Sequence, residues 1–412
     1  MNNTVNIITN HLIYSMKKMK RFFFGAFGLL ALASCSNDEL TSVNRDGDEI
    51  AFSVVTNSAT RAADVYCNNN KPSGFEVWAT YDGATYIDGD QITYNENNSK
   101  WVNTSGTRYW PDGEVSFFAH VNAGDAFNWS DGAPQIENFT VVIDVANQQD
   151  LLYAVKTASK GTDGKAELNF RHALSQIVFQ AKNTNPNLYV EISGVSVCKL
   201  GNQNTFTYPS QNTDDNIVNH AGTTGSITTY NDSWGRWNEL AGGSESYSVE
   251  FTSVAVPGDS EIKSLTSTNE NGKEFSSNAM LLLPQTTTAW VVNGDEAEGK
   301  PADQNGTYFL VKCRIYNVAG ETVDREKDVL LWGNTEDGTG KDAAIPVALN
   351  WEQGKKYIYT FVFGEGNGGY DPDPDNPDPE PTPVLVPITF EVTVDDFVPV
   401  TEEEVMMDKP NA

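Results

Sequence analysis

The feature that most constrains the fold is the alternation of apolar and polar residues over many short runs. Clusters of Asn, Gly, Asp and Ser separate these runs, as turns between strands require. No long window carries apolar residues at the 3.6-residue spacing of a helix. The predicted strands are 49–56, 75–81, 114–120, 139–145, 150–155, 167–170, 174–182, 189–200, 247–256, 279–284, 308–316, 356–363 and 387–395. Short strands without helical crossovers predict antiparallel β-sandwiches.

The length of the chain predicts two such sandwiches in tandem. The chain has 412 residues, and a single hydrophobic core rarely grows past about 250–300 residues. A polar, glycine-containing stretch at 159–164 is the predicted boundary. The N-terminal domain then covers 62–163, or 36–163 in a precursor, and the C-terminal domain covers 164–366.

The charge of the chain excludes two classes of partner. There are 56 acidic and 27 basic residues, for a formal charge of −29. Nucleic-acid binding needs cationic surface to displace counterions from phosphate, so no nucleic-acid partner is predicted. Electrostatic docking on anionic lipid is disfavoured for the same reason.

The N-terminus has the organisation of a signal peptide. A basic cluster at 17–21 precedes an apolar run at 22–33, which is too short to span a bilayer. Met16 fits the start of such a signal better than Met1. We therefore interpret residues 1–34 as an export signal that is removed.

The end of this signal, Leu32-Ala33-Ser34-Cys35, resembles the lipobox of bacterial lipoproteins. In that family the Cys thiol receives a diacylglycerol, and the chain is cut just before the Cys. The resemblance implies lipidation of Cys35 and a palmitate-type anchor in the outer membrane. The acidic residues that follow, at 36–39, resemble export signals of surface lipoproteins. The alternative is an ordinary secretory signal with a chance cysteine.

The C-terminus contains a break in composition. Residues 364–383 read GEGNGGYDPDPDNPDPEPTP. Prolines fix φ and the carboxylates repel one another, so we predict an extended, solvated linker at 367–386. The linker separates a last strand, within 387–412, from the rest of the chain.

No motif in the sequence predicts catalysis or the binding of a nucleotide or metal. Gly364, Gly366 and Gly369 match the spacing of a dinucleotide-binding loop, but prolines follow where the loop needs a helix. Asp371-x-Asp373-x-Asp375 lacks the glycine and the closing Glu of a calcium loop. The histidines and cysteines form no zinc or catalytic pattern. No catalytic, cofactor-binding or metal site is predicted, and the chain is not predicted to be an enzyme.

Several single residues have more than one interpretation. His120 and His172 are predicted to be structural, and Cys198 and Cys313 to be small buried residues. The polar segment 201–246 is predicted to be a long loop with short strands. Its tryptophans, at 234 and 237, either anchor the loop to the core or form a platform on which sugars stack.

Two strands at opposite ends of the chain carry matching apolar faces. The first has Ile50, Phe52 and Val54 at alternate positions. The last has the same spacing, at Ile388, Phe390, Val392 and Val394. Alternate side chains of a strand share one face, so the two strands could occupy the same place in a sheet.

A protease-sensitive loop follows the first of these strands. Residues 58–63 are small and polar with one arginine, which is typical of an exposed site for a trypsin-like protease. Cutting between Arg61 and Ala62 would free residues 35–61 as a propeptide. The apolar groove left behind would be costly until another strand filled it. This pattern predicts donor-strand exchange, a form of β-augmentation.

The chain resembles the fimbrillin family, the subunits of type V pili. The segments that carry the resemblance are 32–35, 60–62, Tyr109-Trp110-Pro111 with 115–119, 168–175, 280–285, 357–364 and 394–397. The resemblance implies two transthyretin-like β-sandwich domains, lipidation at Cys35, and cleavage at Arg61 by an arginine-specific protease. It also implies polymerisation with other fimbrillin subunits at the cell surface. A detachable C-terminal strand favours a stalk subunit over a tip.

Two other functions compete with a pilus subunit. One is a surface-anchored lipoprotein adhesin or tip subunit that binds a host glycan or protein, motivated by the tryptophans of 201–246. The other is a surface enzyme such as a glycosidase, for which the sequence offers no motif.

Overall fold

A computed structural model of the chain confirms an all-β fold. It describes residues 48–56, 72–129, 134–161, 164–210, 212–213, 234–266, 268–270, 273–275, 279–291, 306–319, 323–324, 327–334, 339–372 and 383–396. Nearly all of these residues lie in strands or in the turns between them. The transthyretin-like arrangement of two domains stays a prediction.

The strands are numbered in chain order. The first eleven are β1 (Ala51–Thr56), β2 (Gly74–Tyr81), β3 (Ala84–Asn95), β4 (Lys100–Asn103), β5 (Val115–Val121), β6 (Phe127–Asn128), β7 (Gln135–Thr140), β8 (Leu152–Ala158), β9 (Lys165–His172), β10 (Ser175–Asn183) and β11 (Leu188–Leu200). The others are β12 (Gln203–Thr207), β13 (Arg236–Trp237), β14 (Glu245–Pro257), β15 (Lys263–Ser264), β16 (Thr268–Glu270), β17 (Lys273–Phe275), β18 (Met280–Leu282), β19 (Tyr308–Asn317), β20 (Val329–Trp332), β21 (Lys341–Pro346), β22 (Lys355–Tyr370) and β23 (Pro383–Asp396). Short 3₁₀ turns lie at Gly124–Ala126 and Val145–Asn147.

The first sheet has seven strands in the order β1-β9-β8-β5-β2-β3-β4. β1 runs parallel to β9, and the other neighbours are antiparallel. Side chains from both end strands meet on Phe75 of β2: the ring of Phe52 lies 5.9 Å from it and that of Trp101 5.1 Å. The sheet therefore wraps around one apolar core, which we call the first core.

The first sheet continues past the boundary expected from the sequence. Along the sequence the predicted boundary falls between β8 and β9, and these two strands pair, with Leu152 opposite His172. Alternate residues of β8 face different cores, because Leu152 and Ala154 lie in the first core while Tyr153 and Val155 lie in a second. β9, assigned by sequence to the second domain, thus pairs within the first sheet.

The second core is enclosed mainly by a ten-stranded sheet. Its order is β14-β11-β19-β21-β22-β10-β15, with β18 on β10, β20 on β19 and β23 on β22. The rings of Phe179, Phe309, Tyr359 and Phe361 pack together at its centre. A four-stranded sheet, β13-β12-β7-β6, and a hairpin of β16 and β17 complete the described strands.

The glycines that match the dinucleotide spacing lie in β22, beside β23. Gly364, Gly366 and Gly369 have φ values of 93°, 92° and 108°, which favour glycine. A Cβ at Gly366 would lie 2.7 Å from Cβ of Thr389. β22 and β23 pack closely, and their register is irregular between Phe363 and Gly368. This packing explains why glycine occupies these positions.

Candidate functional site

The three apolar residues predicted to fill a groove are all buried in the first core. Ile50, Phe52 and Val54 share the inward face at the edge of the first sheet. The Phe52 ring makes edge-to-face contacts with Phe75 and Phe117, at 5.9 Å in both cases. Aromatic pairs in this geometry stabilise a core beyond the area they bury. The inward face of β1 is therefore an integral part of the core.

The start of β1 and the three residues before it are hydrogen-bonded along both edges. On one edge Ala51 N donates to Gly164 O at 3.1 Å, and β1 pairs with β9 up to Thr56. On the other edge Ile50 N donates to Arg108 O at 2.8 Å. There Asp48 O accepts from Trp110 N at 2.9 Å. We call residues 108–110 the clamp segment. β1 thus begins in a slot, by which we mean the space between Gly164 with β9 on one side and the clamp segment on the other. Backbone groups line its two sides, and the first core lies beneath it.

Side chains outside β1 hold the clamp segment in place. Arg108 Nε and Nη2 donate to the two carboxylate oxygens of Asp90, each at 2.7 Å. Asn103 Nδ2 donates to the same buried carboxylate at 2.7 Å. The buried Trp110 donates from Nε1 to Gly164 O at 2.8 Å, which ties the clamp segment to the start of β9. These contacts do not involve β1. The clamp segment is therefore held in place by residues other than those of β1.

The Asp90–Arg108 pair gives stability that depends on pH. Burial alone raises the pKa of Asp90, but hydrogen bonds from Arg108 and Asn103 outweigh it, and the pKa is lowered. A lowered carboxyl pKa contributes stability above the usual value of about 3.9, and this is lost as pH falls through the folded-state pKa. We expect Asp90→Asn to be less stable than the parent chain at pH 7, with the difference shrinking toward about pH 2.5.

Urea unfolding at several pH values measures this difference. Asp88→Asn is the matched control, because Asp88 lies on the same strand and is exposed. The control is expected to show little difference from the parent at any pH. A gap between Asp90→Asn and the parent that stays constant from pH 7 to about pH 2.5 would contradict this role for the carboxylate.

The apolar face of β23 begins in the second core and ends at the surface. β23 pairs antiparallel with β22, and Ile388 lies opposite Phe363. Ile388 is fully buried, and the Phe390 ring packs 5.6 Å from that of Phe309. Val392 and Val394, further along the same face, are 49% and 52% exposed. Its own chain therefore buries only the first part of this face.

An ion pair with β10 contacts the outward face of β23. Lys182 Nζ of β10 contacts the two carboxylate oxygens of Glu391 at 2.8 and 2.9 Å. The Glu391 side chain is 63% exposed, and exposed pairs of this kind contribute roughly 0–1 kcal/mol. The ion pair orients β23 on its neighbours and adds little to its retention.

The structure does not bring the two matching strands together. β1 lies at the edge of the first sheet, and β23 lies beside β22 in the ten-stranded sheet. The predicted processing residues, Cys35, Arg61 and Ala62, lie outside the described residues. The clamp segment was not foreseen as a neighbour of β1, since no local pattern marks a backbone that binds a distant strand.

The two tryptophans of the segment 201–246 have different environments. Trp237 is buried in the second core and donates from Nε1 to Ala173 O at 2.6 Å. Trp234 is partly buried, with the Arg171 guanidinium 4.0 Å from its ring centre. Trp237 therefore anchors the segment, as one of the two interpretations predicted. A platform built from both rings is inconsistent with the burial of Trp237.

The described histidines and cysteines have structural environments. Burial lowers the pKa of His120 to about 4, and its ring stacks on Trp78. His172 Nδ1 lies 2.7 Å from the buried carboxylate of Asp150. Cys198 and Cys313 are buried free thiols, and burial raises the pKa of each. Such thiols are poor nucleophiles, which confirms their interpretation as small buried residues.

Two other kinds of feature are absent from the described ranges. Within the described ranges, no three or more His, Cys, Asp or Glu side chains are grouped so that they could hold a metal ion. The same part of the chain contains no helix of the length and apolarity needed to cross a membrane.

Comparison with solved structures relates this fold to known proteins. A fimbrial protein from Bacteroides vulgatus aligns with a TM-score of 0.50 at 14% identity, covering 85% of this chain and 99% of that one. A putative cell adhesion protein from Parabacteroides distasonis gives 0.42 at 10% identity, covering 85% and 98%. One from Bacteroides uniformis gives 0.39 at 14% identity, covering 86% and 99%. The similarity to the fimbrial protein from Bacteroides vulgatus, at 14% identity, indicates a shared fold.

The sequence itself matches a family. No curated protein matches the chain. The model of the fimbrillin-like family matches residues 46–373, which include β1, the clamp segment and all strands up to β22. The match covers well over half of the chain, and it agrees with the all-β fold. The chain therefore belongs to the fimbrillin-like family.

Proposed function

We propose that the chain is a structural subunit of a cell-surface fimbria that polymerises by protease-triggered donor-strand exchange and supports adhesion. The observation that carries the proposal is the placement of β1. Its Ile-x-Phe-x-Val face fills the first core, and β23 repeats that face at the other end of the chain. Membership of the fimbrillin-like family supports the same function.

The trigger is cleavage between Arg61 and Ala62 by an arginine-specific protease. β1 ends at Thr56, so the cut would separate it covalently from every other described strand. β1 would then remain through its buried face, its hydrogen bonds to β9 and the clamp segment, and the ion pair of Asp48 with Lys160. The buried face and the hydrogen bonds can be replaced by another strand of similar shape, because main-chain hydrogen bonding carries no side-chain identity.

The donor is β23 of a neighbouring subunit. In its own chain, β23 leaves Val392 and Val394 about half exposed. A slot that buries three successive inward residues would cover more of this apolar face, and full burial of a valine stabilises by roughly 1.5–3 kcal/mol. The gain in burial favours transfer of β23 to a neighbour whose β1 has left.

The linker gives β23 the reach that donation needs. Once β23 leaves β22, residues 371–387 separate the end of β22 from Ile388, the first residue of the apolar face that is donated. Their proline-rich composition favours an extended backbone of about 3.1 Å per residue, so they span about 50 Å. This distance is comparable with the size of a domain, and it allows β23 to reach a second subunit.

Before cleavage the proposed precursor is a lipoprotein in the outer membrane, held by Cys35. Its partners are the protease, other fimbrillin subunits and, in the assembled fimbria, a host glycan or protein. A high negative charge on a surface polymer opposes unspecific association. Specific strand pairing then selects the partner. The family is a structural one, and no catalytic role is proposed.

N-terminal sequencing of protein extracted from the cell surface tests the proposed processing. We expect two starts, at Cys35 and at Ala62, with the second enriched in the polymer fraction. Arg61→Ala should remove the start at Ala62, while Lys71→Ala, in the same region of the sequence, should not. A single start at Cys35 in all fractions would contradict processing and favour the anchored adhesin.

A further inference from the structure

We propose that the donated strand enters the slot in one register and one direction, parallel to β9. Ile388 takes the place of Ile50, Phe390 that of Phe52, and Val392 that of Val54. This inference rests on the proposed function, and it names the partner of the slot as β23 of a second copy of this chain. The register also fixes which residues of β23 lie beside β9 and which lie beside the clamp segment.

The side chains of the two strands match by type as well as by spacing. Both strands have Ile, Phe and Val at successive inward positions. The central position is the most demanding, because the Phe52 ring lies between Phe75 and Phe117 at 5.9 Å from each. Closely packed interiors tolerate volume-conserving exchange best. The proposed register replaces each buried side chain by one of the same type.

The backbone of the slot accommodates the proline that precedes this face. In the proposed register Pro387 takes the place of Glu49. The hydrogen bonds of the clamp segment go to the residues on either side of Glu49. Ile50 N donates to Arg108 O, and Asp48 O accepts from Trp110 N. Glu49 N donates to no described residue. A residue without an N–H is therefore compatible with this position.

Other registers in the same direction lose a contact. A shift that puts Ile388 in the place of Phe52 would put Pro387 in that of Ala51, whose N–H donates to Gly164 O. That bond would be lost. The opposite shift would put Val392 where Phe52 lies and leave a cavity beside Phe75. A shift by one residue would turn the apolar face outward.

The reverse direction fits less well. It also keeps Phe390 in the central position, but it puts Val392 in the place of Ile50 and Ile388 in that of Val54. One end of the face is then too small and the other too large, and both mismatches destabilise a packed core. The identical order of Ile, Phe and Val favours the direction of β1.

The register fixes the outward neighbours of the donor strand. β1 pairs Ala51 with Lys165 and Ser53 with Glu167, so Thr389 would lie beside Lys165 and Glu391 beside Glu167. Glu391 exchanges its ion pair with Lys182 for a neighbour of like charge. Exposed charges interact weakly and are screened by salt, so this costs little against burial of the apolar face.

Engineered cysteine pairs test register and direction together. In a Cys67→Ser background, Lys165→Cys with Thr389→Cys reports the proposed arrangement. Glu167→Cys with Thr389→Cys is the matched comparison, because reversal or a two-residue shift of Ile388 to the place of Phe52 would bring these two together. The full-length chain is cut after Arg61, allowed to polymerise, oxidised, and separated without reductant. The uncut chain is the control, since its β23 pairs with β22.

We expect the 165/389 pair to give at least ten times more covalent multimers than the 167/389 pair. Disulfides require Cα atoms about 4.4–6.8 Å apart, so only adjacent strands link. Polymers that link through 167/389, or through neither pair, would overturn the register while leaving strand exchange intact. Absence of polymers in the parent chain would overturn the exchange and the register with it. Each single-cysteine variant must polymerise as the parent does.

Discussion

A chain that lacks residues 387–412 is expected to form no polymers after it is cut at Arg61, whereas the intact chain forms them under the same conditions. The deletion removes the whole apolar face that a neighbour would receive. It leaves β1, β9 and the clamp segment unchanged. Size-exclusion chromatography and electron microscopy over a common time course measure the outcome.

The truncated chain also provides an internal check on its own fold. It keeps its slot, so it can accept a strand although it has none to give. Added in small amounts to the cut parent chain, it should shorten the polymers by ending them. Polymers of normal length from the truncated chain alone would show that β23 is not the donor.

Phe390→Asp is the point substitution that matches this deletion. The carboxylate would have to enter an apolar slot without a partner, which is expensive. We expect loss of polymerisation comparable with the deletion. Thr393→Asp introduces the same charge on the exposed, outward face of β23, and it should leave polymerisation nearly unchanged. If the two variants polymerised equally, the inward face of β23 would not be the part that a neighbour receives.

Phe52→Ala is expected to destabilise the uncut chain by about 3–5 kcal/mol, the usual range for truncating a buried phenylalanine. Phe52 contacts two aromatic rings, and its loss leaves a cavity between them. Urea unfolding followed by tryptophan fluorescence measures the change, because Trp101 and Trp110 lie in the same core.

Ser53→Ala is the control for this substitution. Ser53 lies on the opposite face of β1 and is partly exposed, so little change in stability is expected. A destabilisation by Phe52→Ala of less than about 1 kcal/mol would mean that the face of β1 is not integral to the first core. The same variant, once cut, should release β1 faster than the parent releases it.

Strands with regular alternation were predictable almost to the residue. β19 was expected at 308–316 and spans Tyr308–Asn317. β3, at Ala84–Asn95, was missed because Gly89 and two aspartates interrupt its pattern. One of those aspartates, Asp90, is buried against Arg108, and only the folded structure reveals a partner for it. β21 was missed because its buried residues include two alanines, Ala343 and Ala344.

Local alternation is enough to determine that Ile50, Phe52 and Val54 share a face, and that Ile388, Phe390 and Val392 do. Side chains of a strand alternate whatever surrounds it. Which core receives each face depends on pairing between residues far apart in the chain, such as Ala51 with Lys165 or Ile388 with Phe363. The clamp segment, the Asp90–Arg108 pair and the position of β23 beside β22 all arise from such contacts. Tertiary structure decided them, because backbone pairing is nearly independent of side-chain identity and leaves no periodic trace in the chain.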